Sequence, residues 1–220
     1  MTRTKLAGPN QMTVWQAAWQ VQSLLLSYPD DDLLARRPLL RRAVAALPEP
    51  VGAPLLAFCD HLDATEPVEL AADYVATFDH RRRCALYLTY YAHGDTRKRG
   101  VALLRFKQAY RAAGLLLGDD ELPDHLAVVL EFAATGDAQA GRTLLIDHRA
   151  GLELLRLALH DMDSPWAGVL DSVSATLPAL SGSDREAAER LAAQGPPAEE
   201  VGLAPFAPPE YMPNPRGGQP

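Results

Sequence analysis

Six histidines and two cysteines are the side chains from which a metal site or a thiol–imidazole dyad would have to be built. No two histidines have the H-x-x-x-H spacing that sets two imidazoles on one face of a helix. Cys59-Asp60-His61 is an isolated triplet with no second ligand pair, and it reads as helix surface. There is no Gly-rich phosphate loop of either standard type and no G-x-S-x-G elbow. Serines and carboxylates occur singly, with nothing to group them into an acid–base pair. No catalytic residue and no metal ligand is assigned, and the chain is expected not to be an enzyme.

Two features do ask for a function. The first is segregated charge. Residues 60–79 carry six acids (Asp60, Asp63, Glu66, Glu69, Asp73, Asp79) and no Lys or Arg; residues 81–111 carry nine basic groups against the single acid Asp95; residues 119–137 return to six acids without a base. One reading is that these are solvated faces that pair with one another on folding, each pair contributing little. The other is a basic surface for an anion, either a phosphate group or an acidic partner. The second feature is Glu121-Leu122-Pro123-Asp124-His125 opening a helix. Proline in a first turn, with acids near the positive end of the helix dipole, accounts for it structurally. The spacing alone leaves a binding role open.

These residues need elements to carry them, and the composition favours helices. Ala and Leu are abundant and β-branched residues sparse, and the former lose little freedom in a helix. Val14, Ala17, Ala18, Val21, Leu24 and Leu25 repeat at helical spacing, predicting a helix over residues 13–27 with Thr13 as its N-cap. The acidic turn after Pro29 leads to a short helix, and Pro38 begins another that runs to Ala46. Further helices are expected over 55–62, 68–78, from Asp95 or Thr96 to about Ala113, from Pro123 to Gly136, over 139–160, near 166–177 and over 184–193. Residues 80–94 carry some strand character, but a lone strand has no partner, so they are expected to be irregular or short helical. The result is an all-α, single-domain bundle of about ten helices spanning residues 12–194. It is flanked by a flexible stretch, 1–11, and by a Pro/Gly-rich tail, 195–220, whose composition cannot build a packed core.

A net charge of −7 argues against a nucleic-acid partner. Two cysteines make no disulfide framework and suit a reducing compartment. The opening MTRTKLAGPNQMTVWQ lacks the apolar core of a secretory signal, and no apolar run is long enough for a bilayer. The expectation is a soluble, cytoplasmic protein that does not insert into membranes.

Five ordered segments add a resemblance: LAADYVATFD (70–79), LYLTYY (86–91), GDTRKRG (94–100), ALLRFKQAYRAAGL (102–115) and ELPDHLAVVLEFAA (121–134). Together they resemble the NarJ-type nitrate reductase delta subunit, a molybdenum-cofactor assembly chaperone within the redox-enzyme maturation protein class. The resemblance implies a partner, the apo form of the nitrate reductase catalytic subunit, bound at its N-terminal segment before membrane anchoring. It implies assistance in inserting bis-molybdopterin guanine dinucleotide into that client, with no cofactor held permanently. Chaperones of a dimethyl sulfoxide, trimethylamine oxide or selenate reductase share the same signature class, and a helical nucleic-acid-binding regulator is the remaining alternative.

By position, Tyr74 and Phe78 match a Tyr-x-x-Leu-Phe pattern of that class, with Thr77 in place of the Leu, and Asp79 comes directly after. Glu121, Pro123, Asp124 and His125 match its acidic Pro/Asp/His signature, in a different internal order. The resemblance therefore implies client-binding roles for these residues; Tyr87, Tyr90 and Tyr91 suit a groove wall or the core, and the charge blocks suggest that Arg97, Lys98 and Arg99 contact an acidic client surface or cofactor phosphates. Tyr74 and Phe78, one helical turn apart, also suit a plain core role.

Overall fold

The computed structural model describes residues 9–118 and 121–194. Twelve α-helices run in chain order through these residues: α1 (Pro9–Leu25), α2 (Asp31–Ala35), α3 (Arg37–Ala45), α4 (Glu49–Ala64), α5 (Pro67–Tyr74), α6 (Tyr90–His93), α7 (Arg97–Ala112), α8 (Leu126–Thr135), α9 (Ala138–Asp147), α10 (Arg149–His160), α11 (Ala167–Ala175) and α12 (Gly182–Gln194). The all-α expectation holds. The expected tail, 195–220, and most of the expected flexible start lie outside the described residues, and α1 opens at Pro9 rather than at Thr13.

The axis of the bundle is α1, which packs on α8 along most of its length and touches α3 and α11. Ala18, Trp19, Leu25 and Leu26 are fully shielded from solvent, as the helical spacing requires. Three polar side chains on the same buried side fix the neighbours. The Trp19 indole N–H donates to Thr176 Oγ1 (2.9 Å), Gln22 Nε2 to Ser172 Oγ (2.8 Å), and Ser23 Oγ to the Ala127 carbonyl (2.8 Å). A buried donor left unpaired costs about 1–3 kcal/mol, so these bonds select one rotation of α1 against α11 and α8. A second layer is formed by α4 against α11 and α3. There Trp166 is 1% exposed and gathers Phe58, Tyr74 and Phe78, with ring centroids 5.5–5.8 Å away.

Two expected elements differ. The helix predicted over 139–160 is two helices broken at His148, whose backbone (φ −108°, ψ 21°) leaves the helical region. The break lets two glycines serve different neighbours. A Cβ on Gly141 would come within 2.5 Å of the Ala133 Cβ on α8, and a Cβ on Gly151 within 3.1 Å of the Tyr91 ring. The helix predicted over 68–78 stops at Tyr74 and widens into one π-turn, Val75–Asp79, closed by the His80 amide on the Val75 carbonyl (3.2 Å). Such turns insert a residue into the helical ladder and redirect the chain beyond it.

Candidate functional site

Residues 80–94 are irregular and short helical, as expected, with a tight turn at Arg82–Cys84 and α6 at Tyr90–His93, and the extended piece between them pairs with the Glu121–His125 motif. The Leu88 amide donates to the Asp124 carbonyl (3.0 Å) and the Leu126 amide to the Leu86 carbonyl (2.7 Å), so Tyr87 and His125 face each other as one antiparallel bridge. Alternation along the extended piece buries Leu86 and Leu88 and turns Tyr87 outward, where its ring meets the His125 ring edge-on at 5.3 Å. Pro123 is consequently not in a first helical turn. α8 starts at Leu126, and His125 has extended backbone (φ −62°, ψ 129°). The Asp124 side chain caps no helix here.

Asp124 instead points inward and is fully buried. Its Oδ2 accepts the Thr89 backbone N–H (3.0 Å) and the Thr89 hydroxyl (2.5 Å) and lies 3.6 Å from an Arg99 terminal nitrogen. Arg99, on the first turn of α7, donates through Nε to Thr89 Oγ1 (3.2 Å), pairs with Asp95 (3.3 Å) and lies over the Tyr87 ring, 5.2 Å from its centroid. From the far end of α7 the Tyr110 hydroxyl donates to the Pro123 carbonyl (2.5 Å). The motif loop is thus tied at Pro123, Asp124 and Leu126 to two stretches of chain, residues 86–89 and α7.

Charge completes the site. Burial pushes the His125 imidazole below its ordinary value, opposed by the carboxylates of Glu121, Asp124 and Asp79. Burial raises the Tyr87 phenol, helped by Glu121 and Asp124 and opposed by Arg99. The Tyr74 phenol is raised by burial and then by Asp79, Glu121 and Tyr87, while its hydroxyl donates to the Leu26 carbonyl (2.9 Å). Tyr87 and His125 share one outward face through their ring contact, and the Asp79 and Glu121 carboxylates lie near enough to act on the same groups. Tyr74 and Phe78 lie buried behind it, their rings 4.9 Å apart.

The remaining candidates are placed differently. Tyr91 turns into the core and donates to the Arg83 and Ala85 carbonyls (3.1 and 2.9 Å), so it holds the preceding loop. Tyr90 is buried edge-on against Tyr91 and within 6.0 Å of Arg99. Arg97 and Lys98 are exposed at the start of α7, whereas Arg99 is engaged within the fold. The charge blocks do not simply neutralise one another, since Asp60 and Asp63 pair with Arg41, outside the basic block, at 2.7 and 2.8 Å. Thr89, Tyr110 and Trp166 organise this region although periodicity and spacing did not mark them as site residues.

The face offers two exposed carboxylates, a half-buried imidazole and a phenol beside exposed Leu122. It has no paired nucleophile, and among the described residues no group of three or more His, Cys, Asp or Glu could hold a metal ion. Its negative charge disfavours phosphate and suits an apolar segment that carries positive charge or amide donors. Among the described residues no helix is long and apolar enough to cross a membrane.

The model of the nitrate reductase delta subunit family matches residues 44–171. A protein of Bacillus subtilis, named as a probable nitrate reductase molybdenum cofactor assembly chaperone NarJ, is 32% identical over 74% of this chain and 89% of its own length. The Escherichia coli K12 nitrate reductase molybdenum cofactor assembly chaperone NarJ is 33% identical over 69% of this chain and 65% of its own. The nitrate reductase-like protein NarX of Mycobacterium tuberculosis is 40% identical over 74% of this chain, which spans only 24% of that longer protein. A crystal structure from Archaeoglobus fulgidus, described as a redox enzyme maturation protein, shares the fold with a TM-score of 0.51 at 22% identity, covering 87% of this chain and 99% of its own.

Proposed function

Since the chain belongs to the nitrate reductase delta subunit family, we propose that it is an assembly chaperone for the catalytic subunit of a respiratory nitrate reductase. It binds the apo subunit at its N-terminal segment in the cytoplasm and keeps it competent to receive bis-molybdopterin guanine dinucleotide before the subunit is anchored at the membrane. In this role it is not a catalyst, and it retains no cofactor.

The observation that carries the proposal is the tied motif loop. A buried aspartate, its Thr89 partner and Arg99 tie the loop that sets His125 against Tyr87 on an outward face. Preorganisation of this kind lowers the ordering cost of binding for the chaperone and leaves it to the incoming segment. A segment that folds as it binds gives up part of its interaction energy to ordering, which keeps affinity moderate and suits a partner that must be released.

The test is calorimetric titration with a synthetic peptide copying the N-terminal segment of the catalytic subunit from the same organism. Asp79 and Glu121 are exposed, so Asp79→Lys and Glu121→Lys should fold normally by circular dichroism. Saturable binding by the parent protein, weakened about tenfold by either reversal and more so at low salt, is the expected result. Absence of binding to the parent, or binding by both variants as tight as the parent's, would remove this face as the client site.

A further inference from the structure

The charge segregation read from the sequence leaves a remainder once the fold is assembled. Within the basic block, Arg99 is taken up by Asp95 and Asp124, and Arg105 by Asp147. Arg81, Arg82 and Arg83 are not taken up. All three are exposed, and none has an ion-pair partner among the described residues. Neighbouring guanidinium groups repel one another, so a turn that gathers three of them without a carboxylate has to be held from beneath.

The support is visible. Arg82–Cys84 forms a single 3₁₀ turn, closed by the Cys84 amide on the Arg81 carbonyl (2.8 Å) and the Ala85 amide on the Arg82 carbonyl (3.3 Å). Cys84 is fully buried, and its Sγ meets the Met162 Sδ at 3.7 Å, just past the end of α10. The Tyr91 hydroxyl bridges the Arg83 and Ala85 carbonyls, and its ring packs on α10, where a Cβ at Gly151 would come within 3.1 Å of it. Arg81 lies back on the same Met162 sulfur (Nη1 to Sδ 3.0 Å). Neither the Arg82 nor the Arg83 guanidinium has a hydrogen bond among the described residues. The turn is anchored from within, and nothing inside the fold uses its charge.

We propose that this turn docks an acidic surface of a partner protein, recognised by two or more separated carboxylates. Successive side chains on a 3₁₀ turn stand about 120° apart, so the guanidinium groups fan out and no single phosphate group can engage them all. Each is a planar fork that suits a carboxylate of its own. A nucleic-acid backbone is a poor occupant. Its unbroken row of charge would also meet Asp161 and Asp163, which are exposed on either side of Met162. Attraction to an anionic membrane calls for about four to eight basic residues together, more than this turn carries. The inference stands apart from the client face, whose exposed carboxylates have the opposite sign, and does not depend on what binds there.

The test uses the full chain and two fluorescently labelled synthetic peptides that alternate glycine with glutamate or with glutamine. A net charge of −7 opposes the glutamate peptide overall, so its tighter, salt-sensitive binding is both expected and diagnostic. Arg82→Glu with Arg83→Glu should weaken that binding roughly tenfold or more, with circular dichroism unchanged. Lys107→Glu with Arg111→Glu makes the same change in net charge and should leave it within about twofold. The client peptide of the preceding test should bind the Arg82/Arg83 variant as it binds the parent, so failure of this contact and failure of the client face are read separately. Equal binding of the two peptides, indifference to the Arg82/Arg83 reversal, or an equal loss in the Lys107/Arg111 variant would overturn the proposal. So would displacement of the glutamate peptide by equimolar inorganic pyrophosphate, because the turn would then be a phosphate site. Salt-sensitive self-association abolished by the Arg82/Arg83 reversal would overturn it too, because the occupant would then be a second copy.

Discussion

Replacing Asp124 by alanine tests whether one buried carboxylate holds the motif loop in place. Its Oδ2 receives two hydrogen bonds from Thr89 and faces Arg99 at 3.6 Å, with no solvent exposure. Losing one partner of a buried charge pair costs about 3–5 kcal/mol. The lower end applies here, because Arg99 keeps Asp95 and the Tyr87 ring. About 3 kcal/mol is a large share of a domain's total of about 5–15 kcal/mol. With a urea slope near 2 kcal/mol per molar, the unfolding midpoint should fall by about 1.5 M. Asp124→Asn keeps an acceptor for both Thr89 donors but loses charge assistance worth about 1 kcal/mol per bond, so its loss should be about 2 kcal/mol. Urea unfolding followed by circular dichroism measures both, and hydrogen exchange at the Thr89 amide reports the local release. An alanine variant within about 0.5 kcal/mol of the parent, well inside the usual surface range, would refute the role assigned to this carboxylate. So would an asparagine variant as damaged as the alanine one.

The packing and the titrating groups give three more expected outcomes. Gly141→Ala should destabilise by about 3 kcal/mol in the same assay, since the new methyl lies 2.5 Å from the Ala133 side chain and 2.6 Å from its backbone, outweighing a helix-propensity gain of about 1 kcal/mol. Tyr74→Phe should cost about 1–2 kcal/mol by leaving the buried Leu26 carbonyl without its donor, while peptide titration shows whether the client face survives. Burial holds His125 and His148 below the ordinary value of about 6.5, so the unfolded chain binds more protons between each lowered value and about 6.5. Stability should therefore fall as pH drops through that window and be insensitive to these groups above it. Denaturation at neutral and mildly acidic pH should show a smaller drop for His125→Gln than for the parent.

The helices that bury an apolar stripe were legible because their signal is local. Leu126, Val129, Leu130 and Ala133 on α8, and Leu152, Leu155 and Leu159 on α10, repeat at the helical period and are all buried. The motif segments around Tyr74, Tyr87 and Asp124 were legible as types of residue in order along the chain, which is what a family resemblance records. Three features were not legible in this way. The pairing of residues 86–88 with 124–126 joins segments whose separation exceeds any periodic window, and neither segment is a convincing strand alone. The break at His148 falls inside a repeat, Leu145, Leu152, Leu155 and Leu159, that keeps helical spacing across it. There the His148 ring donates to the Leu144 carbonyl (2.9 Å) and packs 5.0 Å from Phe106, and two close glycine contacts demand two helix directions. The inward turn of Asp124 and the retreat of Tyr91 into the core depend on which donors and carbonyls the assembled bundle brings near. Local periodicity determines which faces must leave water, because that depends on spacing along one element. The partner of each buried polar group is decided only when distant elements meet, because a hydrogen bond is satisfied across space and leaves no period in the chain.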